Sequence, residues 1–388
     1  MALKNNTWKL NQWYDQSVAG NISYSGEIQL FSWGQNEKGQ LGHNNEVKLS
    51  SPTQVPGTTW SKDSFFLYNN SGSHSINIKT DGTLWAMGGR NDDWGQLGQN
   101  NRTNYSSPVQ IGSGTDWSKG GNLKESSWGI KTDGTLWVWG NNQYAVLGQN
   151  QPYNSARSSP VQIPGTTWKR CSGLGNAVFA TKTDGTMWVW GNNTIGGLGQ
   201  NNRTQYSSPV QVGDADWSVV SGSQPGTGGG IKTDGTLYMW GSNPNGGLGQ
   251  NTAGDNANRS SPTQIPGTTW SSLSLGNKKS AAIKTDGTLW VWGRNAYGSL
   301  GLNQADNAQY SSPVQLPGTT WSSVSNAYQS TFAQKTDGTL WSWGYNYQGQ
   351  LAQNNRTAYS SPVQIPGTEW VHVQPQSSGG SVYATKEI

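Results

Sequence analysis

The sequence predicts an all-β protein that folds as a seven-bladed β-propeller with four-stranded antiparallel blades. The prediction depends on two observations about internal repeats. Ser-Pro, with a tryptophan about eight residues later, occurs seven times, and the motif KTDGT occurs six times at intervals of 50 to 52 residues. Repeats of this length indicate solenoids, propellers or arrays. The KTDGT copies begin at Lys79, Lys131, Lys182, Lys232, Lys284 and Lys335.

Each repeat is predicted to contain four short strands. The stretch from Trp270 through SSLSLG is the first, SAAIKT is the second, TLWVWG is the third, and a Ser-Pro segment such as SPTQIPG is the fourth. Asp-Gly between two extended runs predicts a type I′ turn, with positive φ at both residues. KTDGT is therefore predicted to form the tip of a hairpin.

The third strand predicts how the sheets pack. In TLWVWG, Leu136 and Val138 lie on one side, and Trp137 and Trp139 lie on the other, so both sides are apolar. A half-exposed strand would alternate apolar and polar residues. We expect both faces of this strand to be buried between sheets that stand face to face around an axis.

The two ends of the chain explain why KTDGT has one copy fewer than the other landmarks. GEIQLFSWG, residues 26–34, matches only the third strand, and VYATK, residues 382–386, matches only the second. One blade is therefore predicted to be shared by residues 24–55 and 370–388, which closes the ring. The predicted domains are an anchoring segment at 1–23 and a propeller at 24–388.

The composition argues against several classes of partner. Of 388 residues only 12% are charged, and the net charge of +4 gives no electrostatic reason to expect nucleic acid. No stretch approaches the roughly 18 apolar residues of a membrane helix, so no membrane insertion is expected. The first twenty residues have no apolar run typical of a secretory signal, and we expect synthesis in a cytoplasm. The single cysteine, Cys171, is expected to fill the core.

The repeat, read as A-I-K-T-D-G-T-L-W-x-W-G-x-N-x-x-G-Q-L-G with a later Ser-Pro, resembles the regulator of chromosome condensation repeat family. The sequence of the repeat also resembles that of phage-encoded members of this family. The resemblance covers residues 26–388 and implies a seven-bladed propeller. The best-known members are exchange factors for the small GTPase Ran and bind chromatin. Here the family's His-Ser survives only as His74-Ser75, and the sequence has no wedge-like insertion and no basic tail.

No residues stand out as catalytic. The three histidines, His43, His74 and His372, occupy unrelated positions in the repeat, and the aspartates of KTDGT are explained by the hairpin. No acid–base pair differs from the repetitive background. The sequence therefore predicts a protein that is not an enzyme and binds no cofactor or metal.

Repeated loops are candidate ligand sites. QNNRTxYSSP occurs three times, and its Arg, Asn and Tyr side chains suit sugars; the alternative is a polar turn that tethers the outer strand. The candidate residues are Arg102, Tyr105, Arg203, Tyr206, Arg356 and Tyr359. Several copies around a ring would give avidity.

Irregular segments are candidates for specificity. Outside the repeat template lie Phe65, Phe66, Tyr68, Trp94 and Trp128, for which local packing is the alternative explanation. The N-terminal segment carries Trp8, Trp13 and Tyr14 in a polar setting. Exposed aromatic residues of this kind usually bind a groove or a partner, so we expect an anchor.

Our main functional hypothesis combines the missing signal sequence, the charge-poor composition and the aromatic N-terminal segment. These features suggest a non-catalytic virion protein of bacteriophage type, a head decoration, fibre or receptor-binding module located in the virion. It would dock to other virion proteins by its N-terminal segment and contact a host-surface glycan or protein. Two alternatives remain open: a glycan-binding lectin propeller, and an intracellular protein-interaction or guanine-nucleotide-exchange-like scaffold.

Overall fold

The structure, a computed structural model, describes ten stretches of the chain. They are residues 27–57, 59–62, 73–89, 94–151, 153, 155–174, 176–223, 226–304, 306–376 and 380–387. Within them the strands form seven antiparallel sheets, six with four strands and one with three. The predicted seven-bladed propeller with four-stranded antiparallel blades is confirmed. No helix in these stretches could span a lipid bilayer.

We number six blades I to VI in chain order, call the seventh the closing blade, and name the strands of each blade A to D in sheet order. The closing blade contains β1 (Ile28–Gly34), β2 (Leu49–Gln54), β26 (Trp370–Pro375) and β27 (Ser381–Glu387). Blade I contains β3 (His74–Ile78), β4 (Leu84–Gly88) and β5 (Tyr105–Gln110), and a bridge from Trp60 to Lys79 marks its strand A. Blade II contains β6 (Trp117–Asn122), β7 (Ser126–Lys131), β8 (Leu136–Gly140) and β9 (Arg157–Ile163).

The remaining four blades repeat this pattern. Blade III contains β10 (Trp168–Leu174), β11 (Ala177–Lys182), β12 (Met187–Gly191) and β13 (Tyr206–Val212). Blade IV contains β14 (Trp217–Ser223), β15 (Thr227–Lys232), β16 (Leu237–Gly241) and β17 (Arg259–Ile265). Blade V contains β18 (Trp270–Gly276), β19 (Lys279–Lys284), β20 (Leu289–Arg294) and β21 (Gln309–Leu316). Blade VI contains β22 (Trp321–Asn326), β23 (Ser330–Lys335), β24 (Leu340–Gly344) and β25 (Tyr359–Ile365).

The closing blade joins strands from both ends of the chain. β1 pairs antiparallel with β27 in an unbroken register from Ile28–Glu387 to Gly34–Ser381. β2 and β26 complete the sheet on either side. The predicted sharing of one blade by the N- and C-terminal strands is confirmed.

The connections between strands lie on two opposite faces of the disc. Successive strands run antiparallel, so successive connections alternate between the faces. One face, which we call the TDG face, carries the B–C turns with their Thr-Asp-Gly sequence and the D–A connections. The other face, which we call the loop face, carries the A–B turns and the long C–D loops. On the described part of the chain, these two faces and the half-exposed outer strands are the surfaces open to a partner.

The KTDGT turn differs from the prediction. In blade II the Gly134 amide donates to the Lys131 carbonyl, and the Lys131 amide donates to the Thr135 carbonyl, each at 3.0 Å. Gly134 has a φ of +78°, whereas Asp133 is absent from the positive-φ residues. The predicted type I′ turn is therefore wrong, because Thr132 belongs to the loop together with Asp133 and Gly134. The loop is a three-residue hairpin with glycine in the left-handed position.

The second aromatic residue of strand C joins neighbouring blades. Trp139 in blade II is fully buried, and its Nε1 donates to the Gln96 carbonyl in the C–D loop of blade I at 2.8 Å. Equivalent bonds of 2.7 to 3.0 Å link Trp190 to Val146, Trp240 to Gly197, Trp292 to Gly247, Trp343 to Ser299, and Trp33 to Gln350. These bonds fix each blade to the one before it.

The first aromatic residue of strand C is not fully buried. Trp137 is half-buried, and its neighbours Leu136 and Val138 are inaccessible to solvent. The prediction that both faces of strand C are buried is therefore wrong at this position. The ring lies beside the B–C turn, where Lys131 covers one of its faces and solvent reaches the remainder.

Where the closing blade meets blade I, the loop carbonyl is bonded from within the closing blade. Met87 occupies the position of the buried tryptophan in strand C of blade I. The Tyr383 hydroxyl, from strand B of the closing blade, donates instead to the Gln40 carbonyl at 2.6 Å. Tyr383 is 1% exposed and packs in one cluster with Met87 and Trp60. The C–D loop of the closing blade thus keeps a buried donor although the tryptophan is missing.

Candidate binding surfaces

Each of blades I to VI places a lysine between two aromatic rings on the TDG face. In blade III the Lys182 Nζ lies 4.9 Å from the Trp168 ring centroid and 4.1 Å from that of Trp188. Distances of 4.2 to 5.6 Å recur at Lys79, Lys131, Lys232, Lys284 and Lys335. An ammonium group this close interacts with the electron-rich ring face. These lysines are therefore held in place without a buried counter-ion.

A chain of hydrogen bonds from tryptophan through threonine fixes the aspartate in five of the six turns. In blade V, Trp290 Nε1 donates to Thr288 Oγ1 at 2.9 Å, and Thr288 Oγ1 donates to Asp286 Oδ1 at 2.7 Å. The bonds from the Thr288 hydroxyl and then from its N–H hold the pKa of Asp286 below its usual value. The carboxylate is exposed and ionised at neutral pH. The same chain occurs at Trp85–Thr83–Asp81, Trp137–Thr135–Asp133, Trp188–Thr186–Asp184 and Trp341–Thr339–Asp337.

Buried polar residues lie where strand B begins, on the loop face. His74 and Lys279 occupy equivalent positions in blades I and V. His74 Nε2 hydrogen-bonds the Ser127 hydroxyl of blade II at 2.9 Å. Lys279 Nζ donates to the Ser330 carbonyl at 2.9 Å and to the Thr331 hydroxyl at 2.8 Å, both in blade VI. Each side chain therefore connects its blade to the next one.

Burial shifts the pKa of both side chains. It lowers the pKa of His74 to about 4 and lowers the pKa of Lys279 well below 10.5. Their exposed fractions are 1% and 2%, so solvent does not reach either nitrogen. His43 is half-buried beside the Ser32 hydroxyl, in the closing blade. The absence of an enzyme activity stays a prediction.

The repeated Arg and Tyr loops lie on the loop face in three separate blades. Arg102, Arg203 and Arg356 are exposed in the C–D loops of blades I, III and VI. The partner tyrosines are half-buried at the start of strand D, and each hydroxyl accepts from an Asn side chain of its own loop: Tyr105 from Asn101, Tyr206 from Asn202, and Tyr359 from Asn355. The tyrosines therefore tether the loops, and the structure does not bring the three loops into one site. Ligand binding by these loops stays a prediction.

Most of the irregular aromatic residues lie outside the described stretches: Trp8, Trp13, Tyr14, Phe65, Phe66 and Tyr68. Trp94 is half-buried in the C–D loop of blade I. Trp128 is 2% exposed and packs in the core cluster with Leu123 and Trp168. Trp128 is thus corrected from a surface candidate to a core residue, because it lies in strand B between two sheets.

Sequence reasoning missed a cleft on the loop face between blade VI and the closing blade. The cleft has a volume of about 200 Å³ and is lined by Tyr328, Tyr345, Gln35, Gln350 and Gln376, among others, with no charged side chain among its described lining residues. We call it the tyrosine cleft. Its signal in the sequence is a run of tyrosines in loops between residues 297 and 347, where other repeats carry few.

The described residues offer no metal site, since no group of three or more His, Cys, Asp or Glu side chains among them could hold an ion.

Comparison with known proteins identifies the family to which the chain belongs. Five segments match the model of the regulator of chromosome condensation (RCC1) repeat: residues 29–62, 133–172, 234–283, 286–334 and 337–382. Together they cover more than half of the chain.

The similar proteins include plant, human and yeast members. The ultraviolet-B receptor UVR8 of Arabidopsis thaliana is 27% identical over 347 residues, 85% of this chain and 64% of UVR8. The E3 ubiquitin-protein ligase HERC2 of Homo sapiens is 22% identical over 333 residues, 83% of this chain and 6% of HERC2. The chain thus spans less than two thirds of either relative. The crystal structure of Prp20p from Saccharomyces cerevisiae has the same fold, with a TM-score of 0.78 at 17% identity, and the match covers 95% of this chain and 93% of Prp20p.

These relatives overturn the main functional hypothesis. They are cellular eukaryotic proteins, so the prediction of a virion structural protein located in the virion is wrong. The features that suggested it, a charge-poor composition and an aromatic N-terminal segment, are general properties that do not distinguish a virion from a cell. The resemblance to phage-encoded members is not tested by these relatives and stays a prediction.

Proposed function

Because this chain belongs to the RCC1 repeat family, we propose that it is a non-catalytic protein-interaction scaffold that binds a partner protein through its TDG face. The observation that carries the proposal is the set of fixed carboxylates, lysines and half-buried aromatic rings, repeated from blade to blade on that face. In blade V these are Asp286, Lys284 and Trp290.

The chemistry of this face suits a protein partner. Half-exposed tryptophans beside charged groups have the composition of binding hot spots at protein–protein interfaces. Because the hydrogen-bond chain already orders Asp286, binding orders little further and loses little conformational entropy. Carboxylates interspersed with lysines would favour a partner whose charges alternate in the complementary sense, which gives specificity more than affinity.

Structures of a fold relative support the choice of a protein partner. The Prp20p structure was described together with its binding properties to Gsp1p and histones, and yeast Prp20 has been crystallised bound to Kap60. The sequence identity of 17% transfers the fold and not these particular partners. For the present chain, the partner's identity is therefore open within the class of proteins.

We further propose that the segment 1–23 contributes to docking. Trp8, Trp13 and Tyr14 are large aromatic residues in a polar stretch, and such residues dominate the energetics of interfaces. The propeller would supply a rigid surface, and the segment would add contacts of its own.

The test compares two matched sets of neutralising substitutions in the full chain. On the TDG face, Asp184→Asn, Asp286→Asn and Asp337→Asn remove three charges, while asparagine keeps the Oδ1 acceptor for threonine. On the loop face, Glu37→Gln, Glu125→Gln and Asp306→Asn remove the same number of charges. Both variants and the parent are used to capture proteins from a lysate, and the captured partner is then titrated by calorimetry.

The TDG-face variant should bind the partner at least about tenfold more weakly at low ionic strength, with a smaller difference at high salt, because salt screens these exposed charges. The loop-face variant should bind within about twofold of the parent. The reverse pattern would refute docking at the TDG face. Failure of the parent to capture any protein would refute the scaffold function itself.

A further inference from the structure

On the face opposite the proposed protein-binding surface, we propose that the tyrosine cleft binds a neutral glycan. The inference goes beyond the scaffold function, since it concerns the other face and another class of ligand. It depends on the exposed tyrosine rings, on an unpaired buried acceptor in the lining, and on the absence of charge.

Tyrosines from two blades cluster at the rim of the cleft. Tyr345, which lines it, packs against Tyr347 with ring centroids 4.7 Å apart and against Tyr297 at 5.1 Å. Tyr347 is 55% exposed, and Tyr328, which also lines the cleft, is 46% exposed. A cluster that leaves large rings in solvent offers apolar faces for a ligand. Sugar rings present C–H faces that stack on such surfaces.

Tyr297 adopts a backbone conformation that its counterparts avoid. Its φ is +56°, and the equivalent residues Lys38, Asn245 and Gln348 are absent from the positive-φ residues. A left-handed conformation is unfavourable for a bulky residue, and residues under such backbone strain cluster at functional sites. The unusual loop of blade V thus brings the Tyr297 ring into the cluster with Tyr345.

The polar lining holds an acceptor without a donor. Gln376 is 2% exposed; its Nε2 donates to the His74 carbonyl at 2.6 Å, but its Oε1 has no hydrogen-bond partner. Buried polar groups without a partner are rare and require an explanation. Nearby, Gln350 accepts the Gln348 amide with its oxygen at 2.9 Å, which leaves its NH₂ group as a donor. Gln376 and Gln350 both line the cleft, so its wall contains a buried amide oxygen without a donor and an NH₂ group that a ligand could engage.

This chemistry favours a neutral sugar over other ligands. An anionic sugar or a phosphate would need a cation, and no charged residue is among the described lining. A proline-rich peptide would suit the aromatic rim, but proline has no N–H to pair with the Gln376 oxygen. A hydroxyl group both donates and accepts, so a neutral saccharide satisfies both amides and stacks on the tyrosines. The volume of about 200 Å³, below the roughly 300 to 1,000 Å³ of pockets for drug-sized ligands, suits one or two sugar units.

The test uses the full chain and two cleft variants, Tyr347→Ala and Tyr328→Ala, with Tyr153→Ala as the control. Tyr153 is 53% exposed in the C–D loop of blade II, far from the cleft in the ring, so all three substitutions remove similarly exposed rings and should leave the fold intact. The probes are immobilised neutral oligosaccharides, sialylated and sulfated oligosaccharides, and a proline-rich peptide. A ligand found in this way is titrated by calorimetry. A glycoprotein carrying the same sugar, intact and enzymatically deglycosylated, distinguishes a free saccharide from a protein-linked chain.

The parent should bind at least one neutral oligosaccharide saturably. Both cleft variants should weaken this binding tenfold or more, the Tyr153→Ala variant should stay within twofold, and acidic sugars should bind no better than neutral ones. Three results would each overturn the proposal: no neutral saccharide binds at millimolar concentration, binding is unchanged in both cleft variants, or the proline-rich peptide is the ligand that both variants lose. Unchanged unfolding midpoints of the variants confirm that a loss of binding is local.

Discussion

The substitution Tyr383→Phe tests how the C–D loop of the closing blade is held in place beside blade I. It removes one hydroxyl group at the junction where Met87 replaces the buried tryptophan. In the parent, this hydroxyl donates to the Gln40 carbonyl at 2.6 Å and also hydrogen-bonds the Ser75 side chain. Phenylalanine keeps the ring and its packing with Trp60 and Met87. The change therefore isolates the hydrogen bonds from the apolar contacts.

The expected cost is about 1–3 kcal/mol of unfolding free energy, the penalty for leaving a buried carbonyl without its donor. The loss of unfolding free energy would be smaller if water could replace the missing donor at the Gln40 carbonyl. Gln40 and Tyr383 are each 1% exposed, so water does not reach this carbonyl. Because the bond lies in the closing blade, the loss should weaken the ring at the point where the two chain ends meet.

Equilibrium urea unfolding, followed by tryptophan fluorescence, measures this cost. Tyr206→Phe is the matched control: it also removes one tyrosine hydroxyl, but that hydroxyl is half-buried and accepts from Asn202 at 2.9 Å. The control should change the unfolding free energy by less than about 0.5 kcal/mol. If Tyr383→Phe costs no more than Tyr206→Phe, the hydrogen bond does not replace the missing tryptophan bond, and the reasoning about the junction is refuted.

Four further predictions follow from the same structure. Burial lowers the pKa of Lys279 in the folded state, so the folded protein binds fewer protons than the unfolded one between that pKa and 10.5. Stability should therefore rise with pH in this window. Lys279→Met should reduce the difference in Tm between pH 7 and pH 10, and an unchanged difference would contradict the burial of a neutral lysine. Thr288→Val breaks the link to Asp286 and should lower the unfolding free energy by about 1 kcal/mol in urea titrations, with no loss if the link is unimportant. Removal of residues 1–23 should leave a cooperative unfolding transition, because the described strands begin later, but should weaken partner binding in pull-downs; unaltered binding would rule out the anchor. Removal of residues 371–388 takes away β27 and most of β26, so light scattering should detect aggregation through the exposed strand edges; a monodisperse product would contradict ring closure by these strands.

The sequence was sufficient to predict the fold because the repeat is regular. Ser-Pro and the tryptophan after it recur in all seven blades, whereas KTDGT is missing from one. This difference, with the partial matches at the two ends, implied the shared blade that the β1–β27 pairing confirms. Two local predictions failed for identifiable reasons. Asp133-Gly134 alone suggests a two-residue turn, but the pairing of Lys131 with Thr135 makes Thr132 a loop residue as well. The pattern of TLWVWG shows which side of the strand Trp137 faces but not how far the neighbouring blade extends over it.

The tyrosine cleft could not be predicted from the repeat, because it occurs at one position in the ring. Tyr328 and Tyr345 of blade VI and Gln376 of the closing blade line it, and Tyr347 of blade VI and Tyr297 of blade V pack against Tyr345. These residues lie up to about 80 positions apart in the sequence, and only the folded ring brings them together. The clustering of tyrosines in successive loops was visible, but their relation to the unpaired glutamine oxygen was not.

The most direct test of the scaffold function is amine footprinting of the free chain and of its complex with the captured partner. The two faces carry separate lysines: Lys131, Lys182, Lys284 and Lys335 on the TDG face, and Lys38, Lys48, Lys124 and Lys278 on the loop face. Acetylation rates of each lysine are compared by mass spectrometry. We predict that the partner slows acetylation on the TDG face and leaves the loop-face lysines unchanged. Protection confined to the loop-face lysines would contradict the account.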